Sequence, residues 1–131
     1  MAEPRAKVFE YAVELDRGGR ATIPGGESLQ PPESWTADHL LLTALLRCSI
    51  DSLTYHAQRG GSVTKASGSA SGRVTRRDSD DRYAFVEVEC RIDAALDPPA
   101  ADAGELTAKA ERDCFVGASL TVKPRYDWHL A

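Results

Sequence analysis

The sequence predicts one α+β domain spanning residues 1–131. Three observations carry that expectation. Residues 37–59 hold a dense apolar run with helical spacing. Residues 83–96 alternate apolar and polar positions, as a half-buried strand does. The chain end, 120–131, alternates again. A length of 131 residues fits a single core.

The elements follow in order. In KVFEYAVEL, Phe9, Tyr11, Val13 and Leu15 share one face with a period of two, which predicts a strand over 7–15. Gly18 and Gly19 suit a tight hairpin turn, with Arg20 just past it and Thr22 and Ile23 in a short second strand. PGGESLQPPES reads as a loop, from its Pro, Gly and Ser content.

Thr36 is placed to cap a helix from Ala37 to Arg59. Between Leu40 and Leu46 the apolar side chains reach almost every side of that helix, which predicts burial in a core or against a second subunit. Gly60 and Gly61 end it. Residues 64–77 are small and polar and predict an edge strand, and DSDDR a turn. In the next strand Ala84, Val86, Val88, Cys90 and Ile92 face one way, with Glu87, Glu89 and Arg91 opposite. DPPAADAG is a loop, ELTAKAERD a helix, and CFVGAS its continuation or a restart. Pro124 cannot donate to a ladder, so the closing strand belongs at a sheet edge or begins there.

Bulk properties narrow the function. A net charge of −4 and a pI near 5.3 argue against non-specific nucleic-acid binding, which needs an excess of Lys and Arg. No stretch approaches the ~18 apolar residues of a membrane span. The start has no signal-peptide pattern, so the expected location is the cytoplasm. Three cysteines, an odd number, argue against a disulfide scaffold, and no Cys/His spacing suggests zinc.

Cys90 reads as a small core residue on the apolar face of its strand. Cys48 sits well inside its helix, where the helix dipole does little for a thiol. To react it needs a cation to stabilise its thiolate. Arg47 is adjacent in sequence but points elsewhere on a helix, so an arginine from a distant loop, such as Arg20 in GGRAT, is the better candidate. His39, His56 and His129 are scattered and receive no role.

The order of GGRAT, ADHLLLTALLRC and CFVGASL before TVKPRYDW, with PPESW ahead of the helix, resembles the OsmC/Ohr family of cysteine-based peroxidases over most of the chain. The resemblance implies an OsmC-like fold: antiparallel sheets wrapped around a long buried central helix, in an intertwined homodimer with active sites at the subunit interface. By the same resemblance Cys48 corresponds to the peroxidatic cysteine and Cys114 to the resolving cysteine. Arg20 corresponds to the thiolate-activating arginine, with Arg17 the alternative, and Asp38 to an acid that orients it. Two positions depart from the family pattern: Asp38 stands where glutamate is usual, and Phe115 where proline follows the second cysteine. Ten residues of helix rise about 15 Å. Asp38 therefore cannot touch Cys48 of its own helix, and Arg20 and Asp38 of one chain are expected to serve Cys48 of the other.

The implied activity is thiol-dependent reduction of organic hydroperoxides, and of hydrogen peroxide, in oxidative-stress defence. It would run through a Cys48 sulfenic acid and a Cys48–Cys114 disulfide. No cofactor is implied, only an external dithiol reductant of lipoyl type, and neither nucleic acid nor membrane is an expected partner. The alternative is a non-catalytic dimer of the same fold that binds a small apolar or thiol ligand in its interface pocket.

Overall fold

The computed structural model describes residues 6–131 and divides the chain into two compact units, Met1–Thr36 and Ala37–Ala131. Among the described residues no helix is long and apolar enough to cross a membrane.

The first unit is a small antiparallel sheet of β1 (Glu14–Leu15), β2 (Ala21–Thr22) and β3 (Ser28–Leu29), in that order. The predicted strand over 7–15 is shorter than its alternation suggests: only its last two residues pair. The reason is physical. A period of two marks a face that is buried only if something covers it, and here Tyr11, Val13 and Leu15 are 82%, 73% and 73% exposed. The turn into β2 does form. Asp16 Oδ1 accepts from the backbone N–H groups of Gly18 (2.9 Å) and Arg20 (3.0 Å), and Gly19 takes φ +84°, which a residue without Cβ adopts freely. The stretch expected to be loop contains β3, tied to β2 by a Thr22–Ser28 hydroxyl hydrogen bond of 2.8 Å.

The second unit packs three helices on one face of a three-stranded sheet: α1 (Ala37–Ala57), α2 (Ala103–Arg112) and α3 (Phe115–Ser119) against β4 (Ser62–Arg76), β5 (Tyr83–Asp97) and β6 (Arg125–Leu130). The strand order is β4-β5-β6. β4 and β5 form the long hairpin that the sequence predicts, and β4 lies at an edge. β6 starts directly after Pro124 and takes the other edge. It runs parallel to β5, so the sheet is mixed rather than wholly antiparallel. The connection through α2 and α3 carries the chain back to the end of the sheet where β5 began, and this makes the parallel pairing possible.

The inward side chains of the sheet are graded in size. On β5, Val88, Cys90, Ile92, Ala94 and Leu96 are buried at every second position. Opposite the first four on β4 stand Gly72, Ala70, Gly68 and Ala66, with Val63 opposite Leu96, and alongside Cys90, Ile92 and Ala94 on β6 stand Tyr126, Trp128 and Leu130. The small residues of β4 let α1 come close. A Cβ built on Gly68 would lie 2.5 Å from the Arg91 carbonyl oxygen and 3.2 Å from Leu46 Cδ2.

α1 turns one stripe to the sheet and to α2: Leu45, Ser49, Ser52, Leu53 and Ala57 are buried on it. Leu45 and Leu53 are each fully buried, worth roughly 2 kcal/mol apiece. The helix ends at Ala57, two residues before the predicted end, and it is not buried all round within this chain: Leu40 is 37% exposed, and Leu41 and Leu42 are half-buried. α2 is capped by Asp102, whose Oδ1 accepts from Glu105 N–H at 3.0 Å, and it sets Leu106 and Ala110 against Leu53.

Replacing Gly68 with alanine pushes β4 off both β5 and α1. We expect a loss of about 2 kcal/mol of unfolding free energy in urea. An unchanged midpoint would show that β4 is free to shift.

Candidate redox site

Four elements meet at one end of the core: the middle of α1, the start of α3, and the paired residues Cys90 of β5 and Tyr126 of β6. All three cysteines are here, as free thiols, in one cluster with Leu45 and Val88.

Cys48 lies about 100° around α1 from Ser49, at the margin of the buried stripe. That placement leaves it half-buried rather than sealed. Burial pushes its thiol above the ordinary range, and the neighbouring Cys114 side chain pushes the same way. The backbone N–H groups of Val116 and Phe115, in the first turn of α3, pull in the opposite direction. None of these influences is a cation.

Cys114 is fully buried and occupies the N-cap of α3, where its Sγ accepts from Gly117 N–H at 3.4 Å. The restart of the helix at Phe115 is thus set by a sulfur cap, in place of the usual Ser, Thr, Asp or Asn. Ser49 Oγ lies 3.5 Å from Cys114 Sγ and 2.9 Å from the Tyr126 hydroxyl. Tyr126 stacks on Trp128, with ring centroids 5.3 Å apart. Cys90 is pushed up to about 11 by burial and, less, by Cys114, so it remains a thiol at any physiological pH.

One residue before Cys114 is a clasp. His56 Nε2 on α1 meets Asp113 Oδ2 at 2.7 Å, and the Arg112 guanidinium holds the same carboxylate through two contacts of 3.0 Å. Arg112 holds the Asp113 carboxyl down to about 2, against the opposing effect of burial, and His56 adds to the lowering. The clasp fastens the α2–α3 junction to α1 beside the two cysteines.

The predicted site residues are therefore distributed as follows. Cys48 and Cys114 come together, although 66 residues separate them in sequence. Asp38 stands in the first turn of Cys48's own helix, ten residues and about 15 Å of rise away. Arg20 and Arg17 belong to the first unit, Arg20 with its backbone N–H fixed by Asp16. Nothing in the sequence pattern singles out Ser49, Tyr126, His56 or Asp113. Ser49 is adjacent to Cys48 and Asp113 to Cys114, so for these two proximity to a cysteine is the available signal; Tyr126 and His56 carry none.

A helix layer on a mixed three-stranded sheet, with a mid-helix cysteine facing the cysteine cap of a short helix, defines a dithiol α+β protein. More particularly, the backbone is that of the OsmC-like fold. It is similar to an OsmC-like protein of Vibrio cholerae, with a TM-score of 0.75 at 12% identity, over 92% of this chain and 99% of that one. It is similar to an OsmC-like protein of Mycoplasma pneumoniae, with a TM-score of 0.68 at 12% identity over 97% and 99% of the two chains. An organic hydroperoxide resistance protein of Elizabethkingia anophelis gives 0.67 at 12% identity over 97% and 100%. No protein-family model and no curated protein matches the sequence.

The clasp has a pH signature. Because the Asp113 carboxyl is held to about 2 in the folded chain, its contribution is fully present above the unfolded value of ~3.9 and is lost as pH falls toward 2. Asp113→Asn should therefore lower the urea midpoint at pH 6, with the gap to the parent protein closing between pH 4 and pH 2. A gap independent of pH over that range would assign the effect to packing.

Proposed function

We propose that this protein is a cysteine-based peroxidase that reduces organic hydroperoxides with two thiols, Cys48 and Cys114. The observation that carries the reading is the meeting of a half-buried Cys48 with a buried Cys114 at the start of α3. The likeness to solved organic hydroperoxide resistance proteins supports it.

In this reading the Cys48 thiolate attacks the distal oxygen of the hydroperoxide. The O–O bond breaks, the alcohol leaves with a proton, and Cys48 becomes a sulfenic acid. The Cys114 sulfur then attacks the Cys48 sulfur, an S–S bond forms, and the hydroxyl leaves as water. An external dithiol, of lipoyl type in this proposal, restores both thiols by exchange. The apolar surroundings, with Leu42, Leu45 and Val116 in the same cluster, suit an organic peroxide better than hydrogen peroxide.

A thiol raised by burial needs a cation before it reacts at neutral pH. We assign that role to Arg20, oriented by Asp38, both supplied across a homodimer interface. The exposed apolar residues Tyr11, Val13 and Leu15, and the partly uncovered Leu40 on α1, support a second copy as the cover. Free thiols suit a reducing compartment such as the cytoplasm.

Mass spectrometry after one equivalent of cumene hydroperoxide, without reductant, tests the cycle. We expect loss of two hydrogens through a Cys48–Cys114 disulfide, a trappable sulfenic acid in Cys114→Ser, and no turnover in Cys48→Ser. Cys48 left unoxidised would favour a ligand-binding protein of the same fold.

The role of Arg20 is tested by the pH profile of Cys48 alkylation. The midpoint should lie below the ~8.5 of a free thiol, and should rise by at least one unit in Arg20→Ala. An unmoved midpoint would remove Arg20 from the site and turn attention to Arg17.

A further inference from the structure

The Leu45 carbonyl fixes the proton of Ser49 and with it the role of Ser49 toward its neighbours. Ser49 Oγ lies 2.7 Å from the Leu45 carbonyl oxygen. That oxygen carries no hydrogen, so the single Ser49 hydroxyl hydrogen lies between the two. Ser49 Oγ can then only accept from its other neighbours. The Tyr126 hydroxyl, 2.9 Å away, therefore donates to it, and in the 3.5 Å contact with Cys114, which also meets Tyr126 and Cys48, the thiol is the donor. A hydroxyl oxygen has two lone pairs, and both are used. Ser49 and Cys114 have no solvent exposure. With the Cys114 hydrogen directed at Ser49 and a sulfur lone pair engaged by Gly117 N–H at 3.4 Å, the remaining sulfur electrons are left for Cys48, whose thiol interacts with Cys114.

We propose that Ser49 and Tyr126 form a hydroxyl pair that positions Cys114 for closing the disulfide with Cys48. This rests on the peroxidase reading for its place in the cycle. Ser49 accepts a hydrogen bond from the Cys114 thiol and so fixes its rotation. Tyr126 fixes Ser49 from β6 and is itself held by stacking on Trp128. Both are positioning residues and touch no peroxide. The step they serve is Cys48–SOH plus Cys114–SH giving Cys48–S–S–Cys114 and water. The S–S bond forms, the S–O bond of Cys48 breaks, and the Cys114 proton leaves with the hydroxyl. Cys114 is oxidised as the sulfenic sulfur is reduced.

The test separates the two half-reactions by rapid mixing and quenching. Cys48 oxidation by cumene hydroperoxide is read with a sulfenic-acid trap, and closure by the loss of free Cys114. In Tyr126→Phe and Ser49→Ala the oxidation rate should stay within about twofold of the parent. Closure should slow by about tenfold, the size of effect one lost buried hydrogen bond carries, with sulfenic acid accumulating. Ser49→Thr, which restores the hydroxyl, should bring closure back to within about threefold, a rescue that a loss of packing would not give. If Ser49→Ala fails to fold, Tyr126→Phe, which loses one oxygen, decides the matter. Unchanged closure in Tyr126→Phe and Ser49→Ala overturns the proposal, as does oxidation slowed as much as closure.

If the parent Cys48 gives no sulfenic acid, the peroxidase reading fails on its own. Closure is then driven by diamide, an azo oxidant that takes up the two thiol hydrogens. The same slowing in both variants, with the threonine rescue, upholds the positioning roles. Equal rates, or no Cys48–Cys114 disulfide in the parent, overturn them.

Discussion

The packing of α1 on β5 is the contact on which the rest of the larger unit depends. Leu45 sits over Val88 and Cys90, and Leu53 over Ala94. β4 contributes backbone and small side chains rather than bulk at the same level. With the helix axis fixed in this way, the direction in which Cys48 points is fixed as well, since its angle from the buried stripe is a property of helix geometry. Cys114 is brought to it from the other side by the α2–α3 junction, which the His56–Asp113–Arg112 clasp ties down. The meeting of the two thiols thus follows from hydrophobic packing in one direction and a hydrogen-bonded tether in the other.

Three thiols in one cluster are given three different settings. Cys90 is sealed under the helix and pushed up to about 11, so it contributes volume and little reactivity. Cys114 is equally sealed but surrounded by polar partners: a backbone N–H group, a serine and, through it, a tyrosine. Cys48 alone keeps access, and it pays for its burial with a raised thiol that the α3 backbone only partly offsets. Access, polar support and apolar sealing would suit attack, resolution and filling in turn, and the three conditions lie within a few residues of one another.

The sequence was most legible where a repeat period meets a face that this chain covers. The alternation of Val88, Cys90 and Ile92 appears in the structure residue for residue, and Pro124 marks the start of an edge strand. Strand direction was not legible, because a period of two is the same for parallel and antiparallel neighbours, and β6 proved parallel. The first strand was over-read for the opposite reason: Tyr11 and Val13 have the pattern of a covered face without a cover in this chain. That Cys48 and Cys114 belong together was an expectation of the resemblance, which spacing alone does not give. Ser49, Tyr126 and the clasp stayed hidden because each is an ordinary residue whose part depends on a neighbour far away in sequence.

The size gradient across the sheet has a consequence for how such chains diverge. Moving from β4 through β5 to β6, the inner face asks for small, medium and large side chains, and the outer face of β4 asks for little beyond polarity. These are conditions on volume, and many different residues meet each of them. Two lineages can therefore replace nearly every side chain, step by step, and still stack the same helix on the same sheet. A TM-score of 0.75 at 12% identity is in keeping with that freedom: the backbone is alike where few side chains are.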